Sequence, residues 1–233
     1  MSTSACKLKV RNLAKNFTLH TLGGVRVHGF SGINFSLPKG QLLALSGPSG
    51  AGKSSILKTI FRSYLASSGS ALFCRNDGSE VDLATCSESR ILDLRRREIG
   101  FVTQFLKILP RVSALDTVAR PLVEIGVEEA EAKARAEQML RRLGIRPELF
   151  ALSPLTFSGG EQQRVNIARG IIAPKELLLL DEPTASLDAK SSNTVLDMLA
   201  ELKQQGIAMI AIFHDQNKID RIADICVPVV REQ

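Results

Sequence analysis

Tryptophan is missing from this 233-residue chain, and Tyr64 is its only tyrosine. A surface on which nucleic-acid bases stack in succession needs several exposed rings, so a nucleic-acid partner is not expected. Cysteine is sparse too: Cys6, Cys74, Cys86 and Cys226 include no C-x-x-C pair, which argues against a zinc site or a disulfide framework. Long apolar runs are absent. Leu177 to Leu180 stops at Asp181 and Ile207 to Phe213 stops at His214, so both are expected as buried strands and not as membrane spans. The opening residues, MSTSACKLKV, hold no apolar leader core, and a cytoplasmic chain without direct membrane insertion is expected. The net charge of +6 is spread along the sequence and names no partner by itself.

What is present is concentrated in a few short stretches. Gly47-Pro48-Ser49-Gly50-Ala51-Gly52-Lys53-Ser54 fits G-x-x-x-x-G-K-[ST], with an apolar strand (42–45) running in and a helical pattern (54–64) running out. Glycines let the backbone curl until several N–H groups face one point, and the positive end of the next helix adds to the pull on phosphate. Lys53 would reach the β- and γ-phosphates, and Ser54 would offer its hydroxyl to Mg²⁺. The alternative is a plain Gly-rich turn entering a helix, but with Gly at ~7% of average sequence a chance match in a chain this long is on the order of one in a hundred.

Before that loop, residues 7–13 alternate as a strand and Phe17 follows. An aromatic at this distance suits stacking on a purine ring and equally suits an ordinary core. Residues 21–30, with three glycines, read as a hairpin loop, and His20 and His28 lie there without metal-like spacing; a strand at 33–37 follows. After the loop helix come a strand at 70–74, a helix at 88–98 ending in Arg95-Arg96-Arg97, and a strand at 99–104 closing on Gln104. Alone, Gln104 is a surface glutamine.

From 112 to about 173 the pattern turns helical: 113–125, in which Pro121 should kink or end the helix, 127–143, and a third helix from about 160. Strand signals are missing here, as expected of helices inserted into an α/β sheet. The third helix opens with Phe157-Ser158-Gly159-Gly160-Glu161, a capped start that would bind an anion if a phosphate came near. Leu177 to Leu180 then delivers Asp181 and Glu182 to the sheet edge where open α/β folds bind ligands. Beside a phosphate loop, Asp181 would hold Mg²⁺ and Glu182 would orient or activate the attacking water. Asp188 follows in a tight connection, a helix is expected at 191–205, and the strand at 207–213 brings His214 to the same edge, where it would sense the γ-phosphate.

In this order the pieces resemble the ATP-binding cassette (ABC) family over nearly the whole chain. The resemblance implies one α/β domain over 1–233, a P-loop NTPase with a RecA-like core, an antiparallel β subdomain and a helical subdomain inserted at approximately 106–172. It assigns Gly47 to Ser55 to the phosphates of ATP, Gln104 to the loop that touches Mg²⁺, and Phe17 to the adenine. Ser158, Gly159 and Gly160 become the signature, Asp181 and Glu182 the metal and catalytic carboxylates, Asp188 the next loop's acid, and His214 the switch. The signature reads Phe157 and Glu161 where Leu and Gln are commonest, and neither is expected to touch the serine and glycine amides. It further implies that two cassettes pack head to tail, each lending its signature to ATP held by the other.

Within the family, Gln104-Phe105-Leu106, Pro110 to Leu115, Ala185-Ser186 and Ile212-Phe213-His214-Asp215 look like the L-subunit branch of the bacterial carbon-phosphorus lyase system for phosphonate use. That likeness implies an ATPase serving a soluble lyase core, paired with a second cassette: another copy of this chain or that system's K subunit. The alternative is the ATP-binding half of a membrane transporter, of lipoprotein- or peptide-exporting type.

Overall fold

The computed structural model describes residues 6–19, 25–106 and 109–230. Two long strands open the chain, β1 (Cys6–Leu19) and β2 (Val25–Pro38), and β3 (Leu42–Ser46) then leads into α1 (Lys53–Ile60). Next come β4 (Ser68–Cys74), β5 (Glu80–Asp82), α2 (Glu88–Arg97) and β6 (Ile99–Val102). Helices α3 (Ala114–Val123), α4 (Glu129–Arg142) and α5 (Gly159–Ile171) follow, with 3-10 turns at Pro147–Leu149 and Pro154–Thr156. The chain closes through β7 (Leu177–Asp181), α6 (Ala189–Gln204), β8 (Ala208–Ile212), α7 (Gln216–Ile222) and β9 (Ile225–Pro228).

One sheet is antiparallel, in the order β2-β1-β4-β5, and the other is parallel, in the order β6-β7-β8-β3-β9. Parallel neighbours need long crossovers, which here are mostly helical, so the sheet is covered on both faces and its central strands are apolar throughout. Side chains alternate faces along each strand. Leu178, Leu180 and Met209 accordingly pack toward α3, α5 and α6, while Leu177, Leu179 and Ile210 pack toward α1, α2 and the antiparallel sheet. Lys7 paired with Glu176, and Arg75 with Glu98, tie the two sheets together at the opposite end from the phosphate loop.

Several boundaries differ from the sequence reading. Positions 25–30 are strand, not hairpin loop, because β2 stays paired with β1 from Val25 onward; His20, Gly23 and Gly24 lie outside the described residues. Helix α1 stops at Ile60, with Arg62 in a left-handed conformation. Pro121 does not end α3, which continues to Val123. The lost N–H bond is tolerated near the helix end because Val118, Ala119 and Leu122 are buried around it. The short elements β5, α7 and β9 were not foreseen.

Candidate functional site

The strand order sets β6, β7, β8 and β3 side by side, all pointing the same way, so their carboxyl ends form one edge. Each end delivers a segment singled out above. Ser46 runs into the phosphate loop, Val102 precedes Gln104, β7 ends at Asp181 with Glu182 next, and Ile212 is two residues before His214. A cavity of about 410 Å³ on this edge is lined by Ser49, Gly50, Gly52, Lys53, Ser54 and Ser55 on one side. Gln104, Glu182 and His214 line the other.

The loop has the curl its glycines predict. Gly47, Gly50 and Gly52 have φ of 136°, 77° and 93°, and Gly52 caps α1 in the left-handed region. At Gly47 a Cβ would lie 2.3 Å from the Val229 carbonyl, and at Gly52 it would lie 2.4 Å from that of Gly29. Only glycine fits either place. Ala51 is buried and its N–H donates to the Pro48 carbonyl at 3.3 Å. Lys53 is 6% exposed and its Nζ donates to the carbonyls of Gly47 (2.7 Å) and Pro48 (2.8 Å), so the ammonium sits inside the cradle.

Ser54 Oγ donates to Asp181 Oδ1 at 2.8 Å. Asp181 is 3% exposed, and burial pushes its carboxyl up, against the lowering effect of the Ser54 bond. An oxygen-only pair of this kind, hydroxyl and carboxylate, suits a hard divalent cation such as Mg²⁺. Glu182 adopts φ 53°, a strained value for a residue with a Cβ, costing on the order of 1 kcal/mol. Its Oε1 lies 2.6 Å from His214 Nε2 and its Oε2 accepts from Gln104 Nε2 at 3.1 Å.

Phe17 lies on the far side of Gly29. A Cβ at Gly29 would come within 2.7 Å of the Phe17 ring, and the Gly29 carbonyl abuts Gly52. The bare Gly29 backbone thus lets Phe17 approach the phosphate loop, a role that reading this segment as a loop could not reveal. Tyr64 meets the Phe17 ring edge-on at 5.2 Å, and Lys15 Nζ stands 5.1 Å from its centroid.

Ser158, Gly159 and Gly160 are not among the residues lining the cavity of the phosphate loop. They form the start of α5 instead, against the segment after β7: a Cβ at Gly160 would be 3.1 Å from the Ser186 carbonyl. Asp188 caps α6, accepting from the Ser191 amide at 2.8 Å, and that bond holds its carboxyl below the usual range.

The expectation for Glu161 needs correction. Its Oε2 accepts from the Ser158 amide (2.9 Å) and the Ser158 hydroxyl (2.7 Å), while the Glu161 amide donates back to Ser158 Oγ at 3.4 Å. A reciprocal capping box places the third residue's carboxylate on the cap amide, so Glu161 does touch a signature amide. The Ser158 hydroxyl, first, and its amide hold the Glu161 carboxyl low. Phe157 is buried in the helical core.

Two positioning residues had no role in the sequence reading. Asn166, fully buried on α5, donates from Nδ2 to the Thr103 carbonyl at 2.6 Å, directly ahead of Gln104. Gln163 Nε2 reaches the Pro183 carbonyl at 3.2 Å, just past Glu182. Their signal was a pair of amides within the helix that carries the signature.

A strand, a glycine-curled loop and a helix set beside two acids at a parallel sheet edge define a P-loop nucleoside triphosphatase. The family described as "ABC transporter" matches residues 30–185. The chain belongs to that family: it is an ATP-binding, ATP-hydrolysing cassette. An "uncharacterized ABC transporter ATP-binding protein" of Thermotoga maritima is 33% identical over 224 residues, 96% of this chain and 92% of that protein. The lipoprotein-releasing system ATP-binding protein LolD of Shewanella frigidimarina is 37% identical over 223 residues, covering 94% and 90%. The dimeric post-hydrolysis structure of the cassette MJ0796 bound to ADP and Pi superposes with a TM-score of 0.85 at 25% identity, over 95% and 94% of the two chains. Among the described residues no helix is long and apolar enough to cross a membrane.

Proposed function

We propose that this chain hydrolyses Mg-ATP in a head-to-tail pair of cassettes and passes the resulting closure and opening to a partner assembly. The observation that carries this is the convergence of Gln104 and His214 on the two oxygens of Glu182, across one cavity from Lys53. Backbone amides of Gly47 to Ser55 and the Lys53 ammonium hold the β- and γ-phosphates, and Phe17 stacks on the adenine. Ser54, Asp181 and Gln104 would hold Mg²⁺, which would neutralise phosphate charge when bound. Glu182 accepts a proton from the attacking water as its oxygen bonds to the γ-phosphorus and the bond to the ADP oxygen breaks. His214 and Gln104 hold that carboxylate in place.

Ser158, Gly159 and Gly160 stand apart from the loop of their own chain, which supports their acting on the triphosphate of a second cassette, with Asp188 at the same face. The dimeric state of MJ0796, a structural neighbour of this chain, agrees with that arrangement. The test is turnover against enzyme concentration: specific activity that climbs as the chain is concentrated supports a pair, and constant specific activity from a monomer refutes it.

The names of the relatives, lipoprotein release foremost, support a membrane permease as the partner. A second reading rests on particular residues. Gln104-Phe105-Leu106, the Ala185-Ser186 ahead of Leu187-Asp188, and Phe213 before His214 resemble the cassettes of phosphonate breakdown, in which the partners are a second cassette such as the K subunit and the soluble carbon-phosphorus lyase core. Isolation of the tagged chain from cells grown on a phosphonate separates the two: an integral membrane subunit supports transport, and stoichiometric soluble lyase subunits support the second reading.

A further inference from the structure

The tip of α5 carries a contact that competes with its own task. Ser158 and Gly159 are exposed, and a Cβ added at Gly159 would meet nothing within 4 Å, so the tip is open to an approaching surface. A triphosphate would present acceptor oxygens there, and a serine hydroxyl has a single proton to donate. In the free chain that proton is already engaged: Ser158 Oγ donates to Glu161 Oε2 at 2.7 Å, and the Ser158 amide donates to the same oxygen at 2.9 Å.

The acceptor is also charged. The Ser158 hydroxyl first, and then its amide, hold the Glu161 carboxyl below the usual range, with Arg164 and Arg146 adding a smaller pull in the same direction. Hydrogen bonds to an ionised acceptor are roughly twice as strong as those to a neutral one. The anion also stands in contact with the group that would receive a γ-phosphate, where like charges repel. A glutamine at this position would complete the same cap with a neutral carbonyl oxygen. Capping the helix therefore does not require the charge, and the charge acts instead on the hydroxyl and on any anion that approaches it.

We infer that Glu161 is a latch on the signature: its carboxylate must release the Ser158 hydroxyl before that hydroxyl can donate to the triphosphate held by a second cassette, which sets a higher threshold for ATP-driven pairing than the cap alone would impose. The inference rests on the head-to-tail reading and deepens it, by naming the residue that regulates closure. In a pair of identical chains both latches must open, so the effect enters twice.

The test is sedimentation velocity of the full chain with Mg-ATP, on the Glu182→Gln background in which a pair should accumulate. Adding Glu161→Gln should tighten the dimer about ten-fold. The advantage should shrink as salt is raised, because part of it is repulsion between charges. ATP affinity, titrated at concentrations too dilute for pairing, should stay the same, since Lys53 and its loop are untouched. The thermal midpoint should hold as well, because the cap is kept. A residue that only capped the helix would give no gain in pairing.

Equal or weaker pairing after Glu161→Gln, while the Glu182→Gln background still dimerises, would overturn the latch and leave the pair standing. Dimerisation of neither protein would overturn the head-to-tail reading and the latch with it.

Discussion

His214 Nε2 lies 2.6 Å from Glu182 Oε1, joining the end of β8 to the end of β7 across the mouth of the phosphate cavity. Gln104 holds the other oxygen at 3.1 Å, so the carboxylate is fixed from both neighbouring strands. A base held in this way enters the reaction already oriented, and only the water and the triphosphate need to arrive.

Replacing Glu182 with Gln keeps the size of the side chain and removes its basicity. ATP binding should persist, hydrolysis should fall by at least 100-fold, and size-exclusion chromatography with Mg-ATP should trap a dimer. Steady turnover by this variant, measured as phosphate release, would remove Glu182 from its role.

Lys53 is the ammonium inside the cradle. Lys53→Ala should weaken ATP binding by ten-fold or more in a nucleotide titration, with little change in the thermal midpoint, because Nζ bonds only its own loop in the free protein.

At Gly159 an added Cβ meets nothing within 4 Å, so Gly159→Leu fits the isolated chain. If the signature closes on the partner's triphosphate, the variant should fold and bind ATP yet hydrolyse it poorly. Mixing it with Lys53→Ala should restore turnover, because the mixed pair contains one site built from an intact loop and an intact signature. Failure of the mixture to exceed either variant would count against head-to-tail pairing.

Asn166→Ala leaves the Thr103 carbonyl without its buried donor. The expected cost is about 1–3 kcal/mol in denaturant unfolding. Gln104 follows Thr103 directly, so the rate of hydrolysis should fall while ATP affinity holds.

Lys175 donates to the carbonyls of Arg95 and Arg96 at the end of α2, and burial pulls its ammonium down to about 8. In the unfolded chain a lysine titrates near about 10.4. Between these values the unfolded state binds more protons, so this residue's contribution to stability rises with pH and is lost as pH falls through about 8. The thermal midpoint of the wild type, relative to Lys175→Met, should increase from about pH 7.5 to about pH 9.5.

The phosphate loop and the paired acids were legible because their chemistry is written in adjacent residues, where spacing fixes geometry. Glu161 shows the limit of that reading. Its position suited a helix start, but that its carboxylate occupies the Ser158 amide follows only from the folded-back geometry of the cap. Gly29 looked like part of a loop because glycine signals a turn in isolation; the structure uses its missing side chain to let Phe17 and Gly52 approach. Pro121 looked like a kink or an early helix end because local backbone cost was weighed without the burial that offsets it.

By itself the sequence determined the phosphate cradle, the acids at the end of β7 and the membership of a cassette family, since each depends on residue types at short, fixed separations. The tertiary structure alone decided that Gln104 and His214 meet on Glu182, that α5 is bonded to the residue before Gln104, and that arginines from α2, α3 and α5 face one groove. Those contacts join residues as much as 78 positions apart, where the path of the chain and not the local pattern sets which side chains become neighbours.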